Sequence, residues 1–287
     1  MLQLFYVNNG DFDYKIYLEE RKTINNKLSS VSIFIGKKRK PCIELYLFGS
    51  DNIASLQFLN FYESCSPKGL IRSKGTRHML TTAVYFLISH YPQVKHIRFT
   101  DSSHVKCFQI NDKVYDISLS SLYFVIHNQT WYEKYFHAYF ENPEFQKKYE
   151  SRKKQFQESN DLFNFTQFIQ YFQIPPQYIP ILAPIYQNSD SYSDFFQKLQ
   201  KQHSEQFCPI IRDWIHDFIE KYIGVFFYSS EWLMDTETFI KNKTIYEENE
   251  IELTPKDETY FRNMSGGGYR KQKKNMEFGG FPWEYDC

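Results

Sequence analysis

Apolar and polar positions change their spacing several times along this chain. Over residues 14–20, 31–35, 42–48 and 54–65 they alternate, the two-residue period of strands with one covered face. In the last run Leu56, Phe58, Asn60 and Tyr62 fall on one side and Gln57, Leu59, Phe61 and Glu63 on the other. The links carry turn chemistry: Gly36 and Pro41 flank the basic Lys37-Lys38-Arg39-Lys40, and Gly49-Ser50-Asp51-Asn52 follows. These strands therefore read as an antiparallel meander. The period then lengthens, with Met79, Leu80, Ala83, Val84 and Leu87 at helical spacing between Thr76 and His90. Tyr91-Pro92 stops that helix, and residues 94–100 return as a strand. A strand, helix and strand joined by short links predict two parallel neighbours, with the sheet opening between them and the helix packed on it.

Asn111-Asp112 suits a hairpin between residues 105–110 and 113–117, and Ser118 opens a short helix to about residue 126. Thr130-x-x-Glu133 is a capping box, which puts Tyr132 in the first turn of the next helix. Asn142-Pro143-Glu144 supplies a cap, a proline at the first helical position and an acid, so a helix runs to about residue 158. Helical segments follow at 161–171, 175–186, 194–202 and 205–222. The last carries Ile210, Ile211, Trp214, Ile215, Phe218, Ile219 and Tyr222 on one face and ends at Gly224, with a possible edge strand at 225–228. The remainder is acidic, then glycine-rich and basic, and closes on Phe281-Pro282-Trp283-Glu284-Tyr285. Such a tail buries too little surface to fold alone, though its aromatic end suits docking on another protein.

Composition narrows the classes. Lys plus Arg and Asp plus Glu number 34 each, so no net field favours nucleic acid, and no nucleic-acid partner is expected. No apolar run approaches the length of a membrane span, and the start of the chain lacks the basic segment of a secretion signal. The five cysteines, Cys42, Cys65, Cys107, Cys208 and Cys287, are scattered, which predicts a reducing, cytoplasmic setting without a disulfide framework. The eight histidines show no metal-binding spacing, so no metal is expected. The 28 phenylalanines and 23 tyrosines, with few glycines and alanines, match an AT-rich coding bias such as large DNA viruses and some protists have.

The chemistry concentrates between the strand 54–65 and the helix after it. Arg72-Ser73-Lys74-Gly75-Thr76-Arg77 is a basic, glycine-containing loop at a helix N-terminus, where free N–H groups and the helix dipole attract an anion. The other reading is an ordinary turn with its basic residues in water. Asp101-Ser102-Ser103-His104 holds the residue types of a hydrolase triad, but neighbours along a strand end are not expected to face one another.

In this arrangement the chain resembles the GNAT N-acetyltransferases, whose acetyl-coenzyme A loop is written Arg/Gln-x-x-Gly-x-Gly/Ala and leads into a helix. Arg72 and Gly75 match; Arg77 stands at the last small position, where it either fills the pyrophosphate site or adds a charge to it. Trp131-Tyr132-Glu133-Lys134-Tyr135-Phe136 resembles the family's Phe-Tyr-Glu-Lys-Leu-Gly-Phe run, without its glycine. The resemblance covers the first half of the chain. It implies an α+β fold with a GNAT-like, mixed but mostly antiparallel sheet and helices over 1–141; the residue patterns add a mainly helical subdomain over 142–244 and a flexible tail over 245–287. It implies acetyl-coenzyme A held by Arg72, Ser73, Lys74, Gly75, Thr76 and Arg77, with Tyr132 as acid for the coenzyme sulfur. Glu63 is the candidate base for an acceptor amine. Glu63 also reads as an exposed strand residue, and Tyr132 as one more aromatic. The alternative function is a structural or interaction protein on the same fold, for instance a virion component, whose partner is another protein.

Overall fold

A computed structural model describes residues 1–9, 12–37, 40–59, 72–110, 113–158, 164–237 and 246–251. Among these the chain forms two units, one of residues 1–99 with 233–251 and one of residues 100–232.

The first unit opens with β1 (Leu2–Asn9), β2 (Phe12–Lys22), β3 (Leu28–Lys37), β4 (Lys40–Phe48) and β5 (Ile53–Leu59), each antiparallel to the one before. Of the expected turns, the one after Lys37 lies outside the described residues, with Gly36 and Pro41 paired in β3 and β4, and the one at 49–52 links β4 to β5. Gly49 adopts a φ of 56° and donates its N–H to the Ser29 carbonyl at 2.8 Å, a backbone shape that suits glycine. The β4–β5 ladder pairs Glu44 with Phe58 and Leu45 with Leu56, leaving Gln57 as a bulge. That extra residue reverses the expected facing: Leu59, rather than Phe58, joins Ala54 and Leu56 in the core.

Helix α1 (Arg72–His90) starts four residues before the expected Thr76, and β6 (His96–Thr100) follows. Met79, Leu80, Ala83, Val84, Phe86 and Leu87 of α1 are buried. The Thr81, Thr82 and Ser89 hydroxyls donate to carbonyls one turn back, which lets polar residues sit within this apolar helix. β6 runs parallel to β5, as the sequence predicts. The pair shares the rungs Ile53↔His96, Ala54↔Ile97 and Ser55↔Arg98, while β5 continues to Leu59. The sheet therefore opens beyond the third rung.

The second unit holds the hairpin β7 (His104–Ile110) and β8 (Lys113–Ser118), then α2 (Leu119–His127), α3 (Trp131–Phe136), β9 (Tyr139–Phe140) and α4 (Pro143–Glu158). Ser118 caps α2, accepting from the Ser121 N–H at 3.3 Å. The Thr130–Glu133 box caps α3, and Asn142 Oδ1 caps α4 by accepting from the Glu144 N–H at 2.9 Å. Next come α5 (Phe165–Tyr171), α6 (Ile179–Gln187), α7 (Tyr192–Gln202), α8 (Phe207–Ile211) and α9 (Ile215–Phe218). The expected helix over 205–222 is thus broken into α8, α9 and a π-helical turn Ile219–Ile223, with Pro209 inside α8. Its apolar face survives the breaks, since Ile210, Ile211, Trp214, Ile215, Phe218 and Ile219 are all buried. Phe168 lies at the centre of an aromatic core, with the Phe172, Tyr186, Phe195 and Trp214 rings 4.7–5.8 Å away.

The expected strand at 225–228 is a bend and turn; the strand lies just after it, as β10 (Glu231–Asp235). β10 adjoins β6 in the first unit, and its first residues adjoin β9 in the second, where the Glu141 N–H donates to the Glu231 carbonyl at 3.0 Å. β11 (Tyr246–Ile251), expected to belong to a flexible tail, pairs antiparallel with β1 from Leu4↔Ile251 to Asn9↔Tyr246. The rest of the tail lies outside the described residues. The first unit is thus an α+β fold with a mostly antiparallel sheet.

The cysteine expectation is corrected: Cys107 and Cys208 form a disulfide, their Cα atoms 5.4 Å apart, and Cys42 is also disulfide-bonded. Their 101-residue separation gave no spacing signal. No helix among the described residues is long and apolar enough to cross a membrane.

Candidate functional site

The expected phosphate loop is helical. Arg72, Ser73, Lys74, Gly75, Thr76 and Arg77 all lie in the first turn and a half of α1, and Glu63 lies outside the described residues. Gly75 and Thr76 are buried and Arg77 is exposed. The Thr76 hydroxyl is buried without a hydrogen-bond partner, a costly state for a polar atom. Two residues on, His78 Nδ1 lies 2.7 Å from the Tyr14 hydroxyl of β2. Burial pushes that phenol above the usual tyrosine range.

Tyr132 lies in the second unit and is buried, 3% exposed. Its hydroxyl hydrogen-bonds to Ser103, beside the Asp101 carboxylate. Asp101 follows β6 and is 1% exposed. Its Oδ1 accepts from the Ser103 N–H at 2.9 Å and from the Ser103 hydroxyl at 2.5 Å, and its Oδ2 accepts from the Ser120 hydroxyl of α2. The Asp101 carbonyl accepts from the Ser229 N–H at 2.8 Å, and the Ser103 carbonyl from the Leu119 N–H at 3.0 Å. Asp101 and Ser103 do face one another, contrary to the sequence expectation, because a carboxylate readily reaches the N–H and hydroxyl two residues on in a tight turn. No triad results, since the His104 Nδ1 lies 2.9 Å from the Ser102 carbonyl.

Burial raises the Asp101 carboxyl, opposed by the Ser103 and Ser120 hydroxyls, the Ser103 N–H and the nearby His104. Burial, foremost, and then the Asp101 charge push the Tyr132 phenol well above its usual range, against a lowering by Ser103. Tyr132 thus remains a neutral hydroxyl at physiological pH, joined through Ser103 to a buried acid. Ser120 was missed from sequence; a serine inside the apolar run of α2 was the available signal.

A second network surrounds α3. Glu133 Oε2 accepts from the Thr130 N–H at 3.1 Å and from the Tyr149 hydroxyl at 2.6 Å, and Oε1 pairs with the Lys153 ammonium. Nearby, the Lys134 ammonium lies 5.3 and 5.4 Å from the Tyr123 and Tyr135 ring centres, a cation–π arrangement. The His127 ring packs tilted against Tyr123, centroids 4.2 Å apart; burial, then the Lys134 charge, lowers its pKa to about 4. Among the described residues no group of three His, Cys, Asp or Glu could hold a metal ion.

No protein-family model, curated protein or solved structure matches the chain.

Proposed function

We propose that this chain is a GNAT-like acyltransferase that binds acetyl-coenzyme A at the start of α1 and passes the acetyl group to an amine. The observation that carries this reading is the parallel β5–β6 pair, bridged by α1, whose shared rungs end after Ser55↔Arg98. A sheet that opens there offers strand edges to an extended, amide-bearing arm, which pairs with backbone as an added strand does. The start of α1 offers its N–H groups and dipole to the pyrophosphate.

A second reading, a non-catalytic structural or interaction protein on the same fold, is favoured by Tyr132. Its hydroxyl is buried and bonded inward to Ser103, which suits a structural role better than an acid waiting for a thiolate.

Calorimetry with acetyl-coenzyme A separates the two. Binding that weakens with salt supports the first reading, and no heat at millimolar coenzyme removes it. Arg77→Gly then assigns Arg77: weaker binding makes it a phosphate ligand, and stronger binding makes it a plug in the site. Tyr132→Phe lowers turnover by about a hundredfold if the phenol is the acid, and unchanged turnover excludes it.

A further inference from the structure

Cys107 does not sit in the β7–β8 ladder. The rungs run Lys106↔Asp116 and then Phe108↔Tyr115, so Cys107 is the extra residue of a β-bulge. A bulge bends its strand and re-aims the side chain it carries. Here the side chain meets Cys208, the second residue of α8, with a Cα separation of 5.4 Å that suits a disulfide. The residue across the bulge also reaches this segment, since the Arg212 guanidinium that ends α8 stacks 4.6 Å from the Tyr115 ring. The hairpin is therefore fastened to α8 at neighbouring points, one covalent and one cation–π. Cys107 and Cys208 are both half-buried, whereas Cys42, the other disulfide-bonded cysteine among the described residues, is itself 0% exposed. Thiol–disulfide exchange requires a thiolate to approach a sulfur, so access sets which bond reacts.

We propose that Cys107 and Cys208 form a reversible thiol–disulfide exchange site for low-molecular-weight thiols of the glutathione class, and that its state governs how firmly the β7–β8 hairpin is held on α8. In reduction a glutathione thiolate attacks one sulfur. The Cys107–Cys208 bond breaks, a mixed disulfide forms, and the other cysteine leaves as a thiolate that takes up a proton. A second glutathione thiolate resolves the mixed disulfide, so two cysteine thiols and one oxidised glutathione are formed and two electrons pass to the protein. Oxidation runs the same steps backwards, with oxidised glutathione as the electron acceptor. This proposal is independent of any coenzyme activity.

The test equilibrates the full chain in buffers of graded reduced-to-oxidised glutathione ratio, quenches with a maleimide and maps the alkylated peptides by mass. Amide exchange over residues 104–118 is followed in parallel. The expected result is that Cys107 and Cys208 become alkylated together at a ratio where Cys42 stays protected. Hairpin exchange then speeds up about tenfold on reduction, and Cys208→Ser shows that fast exchange at every ratio. The proposal is overturned if both cysteines alkylate in the fully oxidised protein, if the bond survives the most reducing buffer, or if hairpin exchange is the same in both states. The unmodified chain alone decides each of these outcomes.

Discussion

The Tyr14 hydroxyl lies 2.7 Å from His78 Nδ1, joining the buried face of β2 to the start of α1. Tyr14→Phe removes this bond and keeps the ring, and should cost about 0.5–1.5 kcal/mol in urea unfolding. The phenol pKa is raised in the folded state, so its contribution is complete below about pH 10 and is lost as pH rises further. Stability of the wild-type chain should accordingly fall more steeply above pH 10 than that of Tyr14→Phe.

Ser120→Ala removes the hydroxyl that donates to the buried Asp101 Oδ2. Leaving the buried Asp101 Oδ2 without this donor costs about 1–3 kcal/mol, and that loss is expected at neutral pH. Asp101→Ala should cost about as much or more, because it strands the Ser103 and Ser120 donors. The double variant should lose less than the sum, and additive losses in chemical denaturation would show that the pair is not coupled.

His127 has a folded pKa of about 4 against 6.5 in its ordinary state. The unfolded chain therefore takes up the proton first, and stability should decline as pH falls from 6.5 towards 4. With a half-exposed ring the effect is about 1–2 kcal/mol after allowing for solvent screening. Comparing wild type with His127→Gln at pH 7 and pH 4.5 isolates it, since the carboxylates titrate alike in both. An identical decline in the two proteins would contradict this assignment.

Thr130→Ala removes the α3 cap, whose hydroxyl accepts from the Glu133 N–H at 3.2 Å, and should cost about 1 kcal/mol. Glu133→Ala should cost more, because the same carboxylate also receives Tyr149 and Lys153. Equal effects on the unfolding midpoint would mean that the outer partners contribute nothing.

Reduction of Cys107–Cys208 frees a loop of 101 residues. The entropy of so long a loop is about 4.7 kcal/mol, which bounds the expected loss; about 2–4 kcal/mol should be seen in denaturant when the Cys107→Ser, Cys208→Ser double variant is compared with wild type, both without reductant so that the Cys42 bond is kept.

Local signals in the sequence were reliable where one residue decides the outcome. The parallel return of β6, the antiparallel pairing of β7 with β8, and the Thr130 and Asn142 caps were all legible, because each rests on a period or a capping side chain, whereas the expected turn at Asn111-Asp112 lies outside the described residues. What could not be read depends on distant parts of the chain. The Gln57 bulge turns Leu59 inward through pairing with β4, and the cysteine pair meets across 101 residues. Gly75 suggested a loop, yet the helix extends over it because buried neighbours outweigh its weak helix propensity. For the candidate site, Tyr132 was found by its motif, whereas Asp101 and Ser120 gained their roles only when the turn after β6 met α2.

The pairing of β11 with β1 has a consequence for synthesis. Among the described strands β1 precedes every other and its partner β11 follows them all, since Leu4 takes Ile251 as its partner. While the ribosome builds residues 100–232, the open side of β1 waits without its neighbour, and strand edges in that state invite wrong partners. Slow translation of the middle of the gene would lengthen that wait, and a chaperone that shelters β1 would shorten the exposure.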